Sequence, residues 1–434
     1  MTESTALLTD RYEVTMVDAA LRAGTHEREC VFEVFARHLP AGRRYGVVGG
    51  TGRMIDLVKQ FRFGEAELTF LSDNAIIAPD TIDYLAQLRF TGSIEGYREG
   101  DLYFPGSPIL TVTAPFAQAV LLETLILSVF NYDSAVASAA SRMVTAAAGR
   151  PLAEMGSRRT GEHSAVAAAR AAYIAGFSST SNLEAGRSWG IPTMGTAAHA
   201  FTLMHDTEEA AFRAQVEALG SETTLLVDTF NVERGVETAV RVAGCQLGAV
   251  RLDSGDLATL ARQTRNQLDA LGARKTAITV TNDLDEFTIA ALRSSPIDSY
   301  GVGTSVVTGS GAPACGMVYK LVAHRTAGDE WVRVAKRSDG KENVGGRKWA
   351  SREFSADGKA QAECVSTAGF PETPTGANRP LQVTFIDHGE ADEKYQGRSG
   401  VALARTHHND ARAELPDEAL SLDVGEPAIP TILS

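Results

Sequence analysis

Short apolar runs that end abruptly in polar side chains recur through the middle of the chain. Leu225 to Val227 runs into Asp228-Thr229, and Val250 to Leu252, with Arg251 inside it, runs into Asp253-Ser254-Gly255-Asp256. Ile278 to Val280 runs into Thr281-Asn282-Asp283, Ile297 to Val302 into Gly303-Thr304-Ser305, and Ile191 to Met194 into Gly195-Thr196-Ala197-Ala198-His199. Between them lie helical patterns, Asp206 to Leu219, Val232 to Ala243 and Leu257 to Leu271, each closed by a glycine (Gly220, Gly244, Gly272) suited to a left-handed C-cap. Strands alternating with helices at this interval predict parallel strands with crossover helices. Polar groups repeated at one end of successive strands mark where a β/α barrel keeps its chemistry.

The flanks follow a different pattern. Residues 1 to 115 mix a helix from Arg11 to Ala23 with an alternating run from Cys30 to Phe35 and β-like pieces around Ile94 and Leu110, set among Gly and Pro. Leu121 to Phe130 and Ala135 to Ala148 read as helix, stopped by Gly149 and Pro151. After about residue 325 the pattern becomes irregular, basic and Gly-rich from Lys336 to Lys348 and rich in Pro, Thr and Gly from Gly369 to Pro380. A chain of 434 residues exceeds one ordinary core. The expectation is therefore an irregular α/β barrel at 116–324 beside a β-rich domain at 1–115, completed by 325–434.

Charge narrows the partners. A formal net charge of -13 opposes nucleic acid, which is bound through clustered Lys and Arg, while leaving room for a local basic pocket that takes a small polyphosphate. Four widely spaced cysteines, Cys30, Cys245, Cys315 and Cys364, show no metal-site spacing and fit a reducing compartment. The start of the sequence does not read as a signal peptide, and Ala117 to Phe130, interrupted by Glu123, is short for a bilayer span. A cytoplasmic protein is expected.

The candidate chemistry sits at the predicted strand ends. Arg158 and Arg159 follow the run Leu152 to Met155 and offer planar forks for a carboxylate or phosphate; an isolated pair of this kind is more often simply solvated. Arg251 and Asp253 share one side of a strand by the two-residue period, so both can face a barrel mouth, with Asp253 accepting from sugar hydroxyls or holding a Mg²⁺ water. The alternative is structural: Ser254 or Asp256 caps the next helix and Arg251 pairs internally. Gly301-Val302-Gly303-Thr304 leaves a late strand with little bulk, suiting a phosphate on backbone N–H groups or, alternatively, a tight turn. His199, with Asp228 at the next strand end, has the makings of a general base or of a nucleophile towards phosphorus; alone it would read as a core histidine.

Six ordered segments resemble the nicotinate phosphoribosyltransferase family: Leu8-Thr9-Asp10-Arg11-Tyr12-Glu13-Val14-Thr15-Met16, Gly156-Ser157-Arg158-Arg159, Phe177-Ser178-Ser179-Thr180-Ser181-Asn182, Gly195 to His199, Val250 to Asp256 and Tyr300 to Thr304. The resemblance implies an irregular barrel with a β-rich companion, and a homodimer whose active site is completed across the interface. It implies transfer of phosphoribosyl from phosphoribosyl pyrophosphate to nicotinate, giving nicotinate mononucleotide and pyrophosphate, with Mg²⁺ and coupled to ATP. By matched position, Tyr12 from the neighbouring subunit would stack on the ring, Arg251 and Arg158 would lie near its carboxylate, Asp253 would contact the ribose, and Ser254 would be a substrate-binding residue. Gly303 with Thr304 would hold the 5′-phosphate, and ATP would phosphorylate His199 beside Asp228. Thr180 and Ser181 would line the base pocket; Ser181 stands where nicotinamide-using relatives carry an aspartate. Met155 replaces the usual ring-stacking Phe. Arg37 is a further candidate for a cross-subunit phosphate contact; Lys320, Lys336, Lys341 and Lys348 are candidates for polyphosphate contacts or, alternatively, for a solvated surface. Two rivals are a quinolinate-using phosphoribosyltransferase, against which the Gly195 to His199 segment speaks, and a non-catalytic nucleotide-binding barrel.

Overall fold

The computed structural model describes residues 4–40, 42–336, 344–370 and 378–434. These form two compact units, one made of Met1–Ser138 with Ala312–Ser434 and the other of Ala139–Gly311.

The second unit is built on six parallel strands: β1 (Leu152–Glu154), β2 (Ser179–Thr180), β3 (Thr224–Leu226), β4 (Ala249–Leu252), β5 (Ala277–Val280) and β6 (Ser299–Val302). Their order is β2-β1-β6-β5-β4-β3, so the first strand pairs with the last, Tyr300 beside Leu152 and Val302 beside Glu154. That pairing curls the sheet in the manner of a β/α barrel, with β2 and β3 as its two edges. Beyond β2 the barrel continues as a single parallel bridge between Thr180 and Thr193. The stave expected at Ile191 to Met194 is thus a bridge and no full strand, because Pro192 lacks the N–H that a ladder needs. No pairing is recorded among the described residues between that segment and β3, and the barrel is irregular for this reason.

The crossover helices lie close to their predicted limits, at Glu208–Leu219, Val232–Ala243 and Leu257–Ala270. Gly220, Gly244 and Gly272 all take positive φ (85°, 73° and 81°), the backbone that favours glycine at these stops. Thr207, Asn231 and Asp256 accept the orphan N–H three residues on at the helix starts. Asp256 is therefore spent on capping.

The first unit carries a seven-stranded sheet in the order Trp331–Arg333, Met317–Arg325, Glu29–Ala36, Leu110–Pro115, Ser93–Tyr97, Gln382–Asp387, Glu390–Ala391. The three strands from the start of the sequence sit side by side at the centre of this antiparallel sheet, flanked on each side by strands from its later part. A four-stranded sheet joins Asn378–Pro380, Trp349–Phe354, Ala360–Ser366 and Thr431–Leu433.

The observed units change over at 138/139 and 311/312, where the sequence placed the divisions after 115 and 324. The physical reason lies in the helix Glu123–Ala147, whose first half buries Leu125, Ile126, Val129 and Phe130 in the core under the large sheet. With its lead-in turn, the stretch Phe116–Ala147 is long and apolar enough to cross a membrane by composition, longer than Ala117 to Phe130 suggested. Its most apolar window is 67% buried inside the protein, as befits a core helix.

Candidate active site

Every strand of the barrel unit delivers side chains to one end. At the tip of β1, Glu154 is wholly buried. Its carboxylate accepts from the Gly156 N–H and from the Thr180 hydroxyl at 2.6 Å, and its carbonyl from the Ser181 N–H at 2.8 Å. Burial raises this carboxyl above the usual range, against the lowering effect of those two donors. Glu154 thereby ties the loop carrying Arg158 to the tip of β2. Thr180 is buried and committed to Glu154, which corrects its expected role of touching substrate; Ser181 is exposed at the same strand end.

A cavity of about 240 Å³ opens at the strand ends, lined by Met155, Arg158, Arg159, Arg251, Asp253, Thr281, Asn282, Asp283, Gly301, Gly303 and Thr304. Three arginines face two aspartates, so the lining favours an anion. Arg158 and Arg159 are exposed and have no carboxylate partner among the described residues. A Cβ on Gly301 would come within 2.7 Å of both the Met155 Sδ and the Thr281 methyl, so Gly301 is what lets the Met155 thioether lie along the cavity wall. Gly156 is needed likewise, since a Cβ there would meet the Gly303 carbonyl oxygen at 2.8 Å.

Arg251 leaves β4 towards this cavity. Its Nε donates to the Thr281 hydroxyl at 3.1 Å, and its Nη1 to the Thr196 hydroxyl at 2.6 Å and the Ala197 carbonyl at 3.2 Å. Nη2 lies 3.4 Å from Asp253 Oδ2. Arg251 thus pairs internally, as the structural reading has it, and also lines the cavity.

His199 opens the short helix His199–Leu203. Its Nε2 sits 3.7 Å from Asp253 Oδ2 and 3.8 Å from Asp228 Oδ1, while Nδ1 is 3.1 Å from the Thr229 hydroxyl. The Asp228 side chain is 1% exposed. Its Oδ2 accepts from the Asp253 N–H and the Ser254 hydroxyl, both at 2.7 Å, and its Oδ1 is buried without a hydrogen-bond partner, facing the imidazole. A buried carboxylate oxygen left open towards a histidine is poised to hold an imidazolium or to fix the tautomer. Ser254 serves Asp228 here and does not cap a helix.

Arg158, Arg251, Asp253, Gly303 and Thr304 therefore meet around one cavity, and His199, Asp228 and Ser254 adjoin it through Asp253. Tyr12, on the helix Arg11–Ala23, and Arg37 belong to the other unit. Tyr12 is 47% exposed; burial of its hydroxyl, with Glu123, Glu13 and Asp10 nearby, pushes its pKa up to about 12. Two lysines offered as polyphosphate contacts are engaged: Lys348 is buried against Glu33 at 2.5 Å, and Lys320 lies 3.6 Å from Glu123. Lys341 falls outside the described residues. Glu154, Thr196, Thr229 and Thr281 were missed as contributors, because a carboxylate or threonine at a strand end has no distinguishing spacing.

Parallel strands with the first paired to the last, and an arginine-rich cavity and a carboxylate-backed histidine at their ends, define an α/β-barrel enzyme built for a small anionic substrate. Residues 7–131 match the family model described as the nicotinate phosphoribosyltransferase (NAPRTase) N-terminal domain. The chain is 56% identical to nicotinate phosphoribosyltransferase pncB1 of Mycobacterium tuberculosis, over 98% of this chain and 94% of that protein. It is 39% identical to nicotinate phosphoribosyltransferase of Bacillus subtilis, over 79% of this chain and 71% of that one. The crystal structure of human nicotinic acid phosphoribosyltransferase superposes with a TM-score of 0.83 at 26% identity, covering 98% of this chain and 97% of the human one. The chain belongs to the nicotinate phosphoribosyltransferase family.

Proposed function

We propose that this enzyme transfers the phosphoribosyl group of phosphoribosyl pyrophosphate to nicotinate, forming nicotinate mononucleotide and pyrophosphate in NAD biosynthesis. The observation that carries this reading is the cavity in which Arg158, Arg159 and Arg251 meet Asp253, Gly303 and Thr304. The pyridine nitrogen attacks the anomeric carbon as its bond to the pyrophosphate oxygen breaks, and the bonding pair leaves with pyrophosphate. No general base is required, since the ring nitrogen already has a lone pair. The protein's part is to orient the ring and stabilise spreading charge. The arginines hold the ring carboxylate, Asp253 with Ser254 beside it faces the ribose, and Gly303-Thr304 takes the 5′-phosphate.

In this reading the working form is a homodimer in the cytoplasm, with Tyr12 and Arg37 supplied by the neighbouring subunit. Mg²⁺ is the expected cation. No group of three or more His, Cys, Asp or Glu side chains is assembled for a metal among the described residues. That fits a cation whose ligands come mainly from substrate phosphates, with Asp253 and Asp283 as the carboxylates in the cavity wall. When bound, it would offset charge on the leaving pyrophosphate.

ATP coupling is assigned to His199. With Nε2–H directed at Asp228 and Asp253, the neutral ring keeps its lone pair on Nδ1, beside the Thr229 hydroxyl. Nδ1 attacks the γ-phosphorus of ATP, ADP leaves, and water later releases phosphate from the histidine.

The test is pyrophosphate release by purified protein with phosphoribosyl pyrophosphate, Mg²⁺ and ATP, comparing nicotinate, nicotinamide and quinolinate. Release with nicotinate alone is expected; release with quinolinate instead, or with none, overturns the reading. Base choice gives a second prediction. Ser181→Asp places a carboxylate at the β2 tip, which repels nicotinate and accepts from an amide. The KM for nicotinate should rise by roughly tenfold or more, the cost of like charges brought together, and turnover of nicotinamide should become measurable. An unchanged nicotinate KM would remove Ser181 from the base pocket.

A further inference from the structure

Tyr12 and Glu13 are consecutive on the first turn of the helix Arg11–Ala23, yet Tyr12 is 47% exposed and Glu13 is wholly buried. Asp10, at the N-cap, makes no side-chain capping bond, so Glu13 fastens this turn instead. Its Oε1 accepts from the Thr124 N–H at 3.0 Å and the Thr124 hydroxyl at 2.5 Å, at the start of the helix Glu123–Ala147. Its Oε2 is hydrogen-bonded to the Thr9 hydroxyl. The pair Thr9 and Glu13 brackets residues 10–12, and the Tyr12 ring rides on a turn held from within. The charges beside Glu13 are the acids Glu123 and Asp10. Lys320 pairs with Glu123 at 3.6 Å, and the Tyr319 hydroxyl, close enough to feel Glu13, donates to the Ala119 carbonyl at 2.9 Å. The Thr9 hydroxyl also has the Leu121 carbonyl at 3.4 Å, so it can accept from Glu13 and pass its own hydrogen on. Burial pushes the Glu13 pKa up to about 7, against the two Thr124 bonds, which lower it.

We propose that Glu13 positions Tyr12 for the base pocket as a neutral acid, donating to Thr9 and accepting from Thr124, and that loss of its proton withdraws the ring; this rests on the assignment of Tyr12 above. As a carboxylate, Glu13 would hold a buried charge beside two acids with no cation of its own. Opening the turn to water relieves that charge and draws the Tyr12 ring out of the pose that stacks on the base. Glu13 touches no substrate. It is a positioning residue, and its effect falls on the KM for nicotinate more than on kcat.

The experiment measures kcat and the KM for nicotinate from about pH 6 to about pH 8.5 in wild type, Glu13→Gln, Glu13→Ala and Tyr12→Ala. The wild-type KM should rise roughly fivefold or more across that range, with kcat changing far less. Glu13→Gln keeps an oxygen for Thr124 and an N–H for Thr9, so its KM should stay near the acid-side wild-type value and lose most of the rise. Glu13→Ala strands the Thr124 N–H, and its KM should be raised roughly tenfold at every pH; if it does not fold, Glu13→Gln carries the test. A Glu13→Gln profile that climbs like that of wild type, or a KM raised throughout, overturns the proposal. Tyr12→Ala with an unchanged KM instead overturns the Tyr12 assignment, a different failure. Urea unfolding gives a reading that needs no substrate. With its pKa raised in the fold, Glu13 contributes stability that is full below the unfolded glutamate value of about 4.3 and is lost as pH rises through about 7. The wild-type urea midpoint, taken relative to Glu13→Gln, should fall across that interval. Midpoints that stay parallel would show Glu13 without a raised pKa and overturn the proposal, whatever the variants do with nicotinate.

Discussion

His199→Ala should abolish nicotinate-dependent ADP release, a fall of at least about 10³-fold as for other removed nucleophiles, while leaving slow transfer of the phosphoribosyl group without ATP. The division follows from where the histidine stands. His199 Nε2 faces Asp228 and Asp253 at 3.8 and 3.7 Å, and His199 is absent from the cavity wall formed by the arginines, Thr281 and Gly303. Under the proposed assignment, removing the imidazole takes away the group that accepts phosphate and leaves the cavity wall of Arg158, Arg251, Asp253, Gly303 and Thr304 in place. Asp228 should then lose its partner across the open Oδ1 while keeping its bonds to the Asp253 N–H and the Ser254 hydroxyl, so the strand end keeps its shape. The measurement is paired: ADP by a coupled assay and pyrophosphate by direct detection, each with saturating nicotinate. Undiminished ADP release would remove His199 as the phosphorylated residue, and complete loss of ATP-independent transfer would place it in the transfer chemistry as well.

Much of this site could be read from the sequence because barrel strands are short, buried and continuous in apolarity, and their polar ends stand out. Arg251 and Asp253 were placed on one side by the strand period, and both reach Thr281 on the neighbouring strand end. Helix limits were legible for a local reason: capping side chains and stop glycines act within one turn. What could not be read depends on partners distant in sequence. Glu154 becomes a tie because Gly156 and Thr180 surround it, and Thr196 because Arg251, 55 residues later, reaches back to it. The strand expected at Ile191 to Met194 shrank to one bridge, since the apolar signal outweighed Pro192 in a pattern that counts hydrophobicity and not donors. Lys348 read as a candidate phosphate contact, and its burial against Glu33, whose carboxylate accepts from both its backbone N–H and its ammonium, comes from a contact 315 residues apart that no local pattern encodes.

Arg352→Met should be the most destabilising single change in the other unit. The Arg352 side chain is 1% exposed and bridges two wholly buried carboxylates, Asp101 at 3.0 Å and Glu363 at 2.9 Å. Arg379 and His407 complete the shell of Asp101 at 2.8 and 2.9 Å, and Tyr97 donates to Glu363 at 2.7 Å. Methionine fills much of the space but leaves Glu363 without a cation and Asp101 with fewer. Breaking a buried pair by removing one partner costs about 3–5 kcal/mol, chiefly from the stranded charge. Burial raises the Asp101 carboxyl, but Arg352, the His407 hydrogen bond and Arg379 outweigh it and hold the group well below the usual carboxylate range. A depressed folded value means that the native state binds fewer protons, so this contribution is fully present above the unfolded aspartate pKa of about 3.9 and is lost as pH falls through the folded value. The variant should therefore unfold at lower urea at pH 7, and the gap to wild type should narrow below about pH 4. Trp331 and Trp349 lie in this unit and Trp189 in the barrel unit, so tryptophan emission, read beside an independent probe of the barrel, separates the two transitions. A variant with an unchanged urea midpoint would mean that the carboxylates are neutral in the folded protein, and the network would then contribute hydrogen bonds without ion pairing.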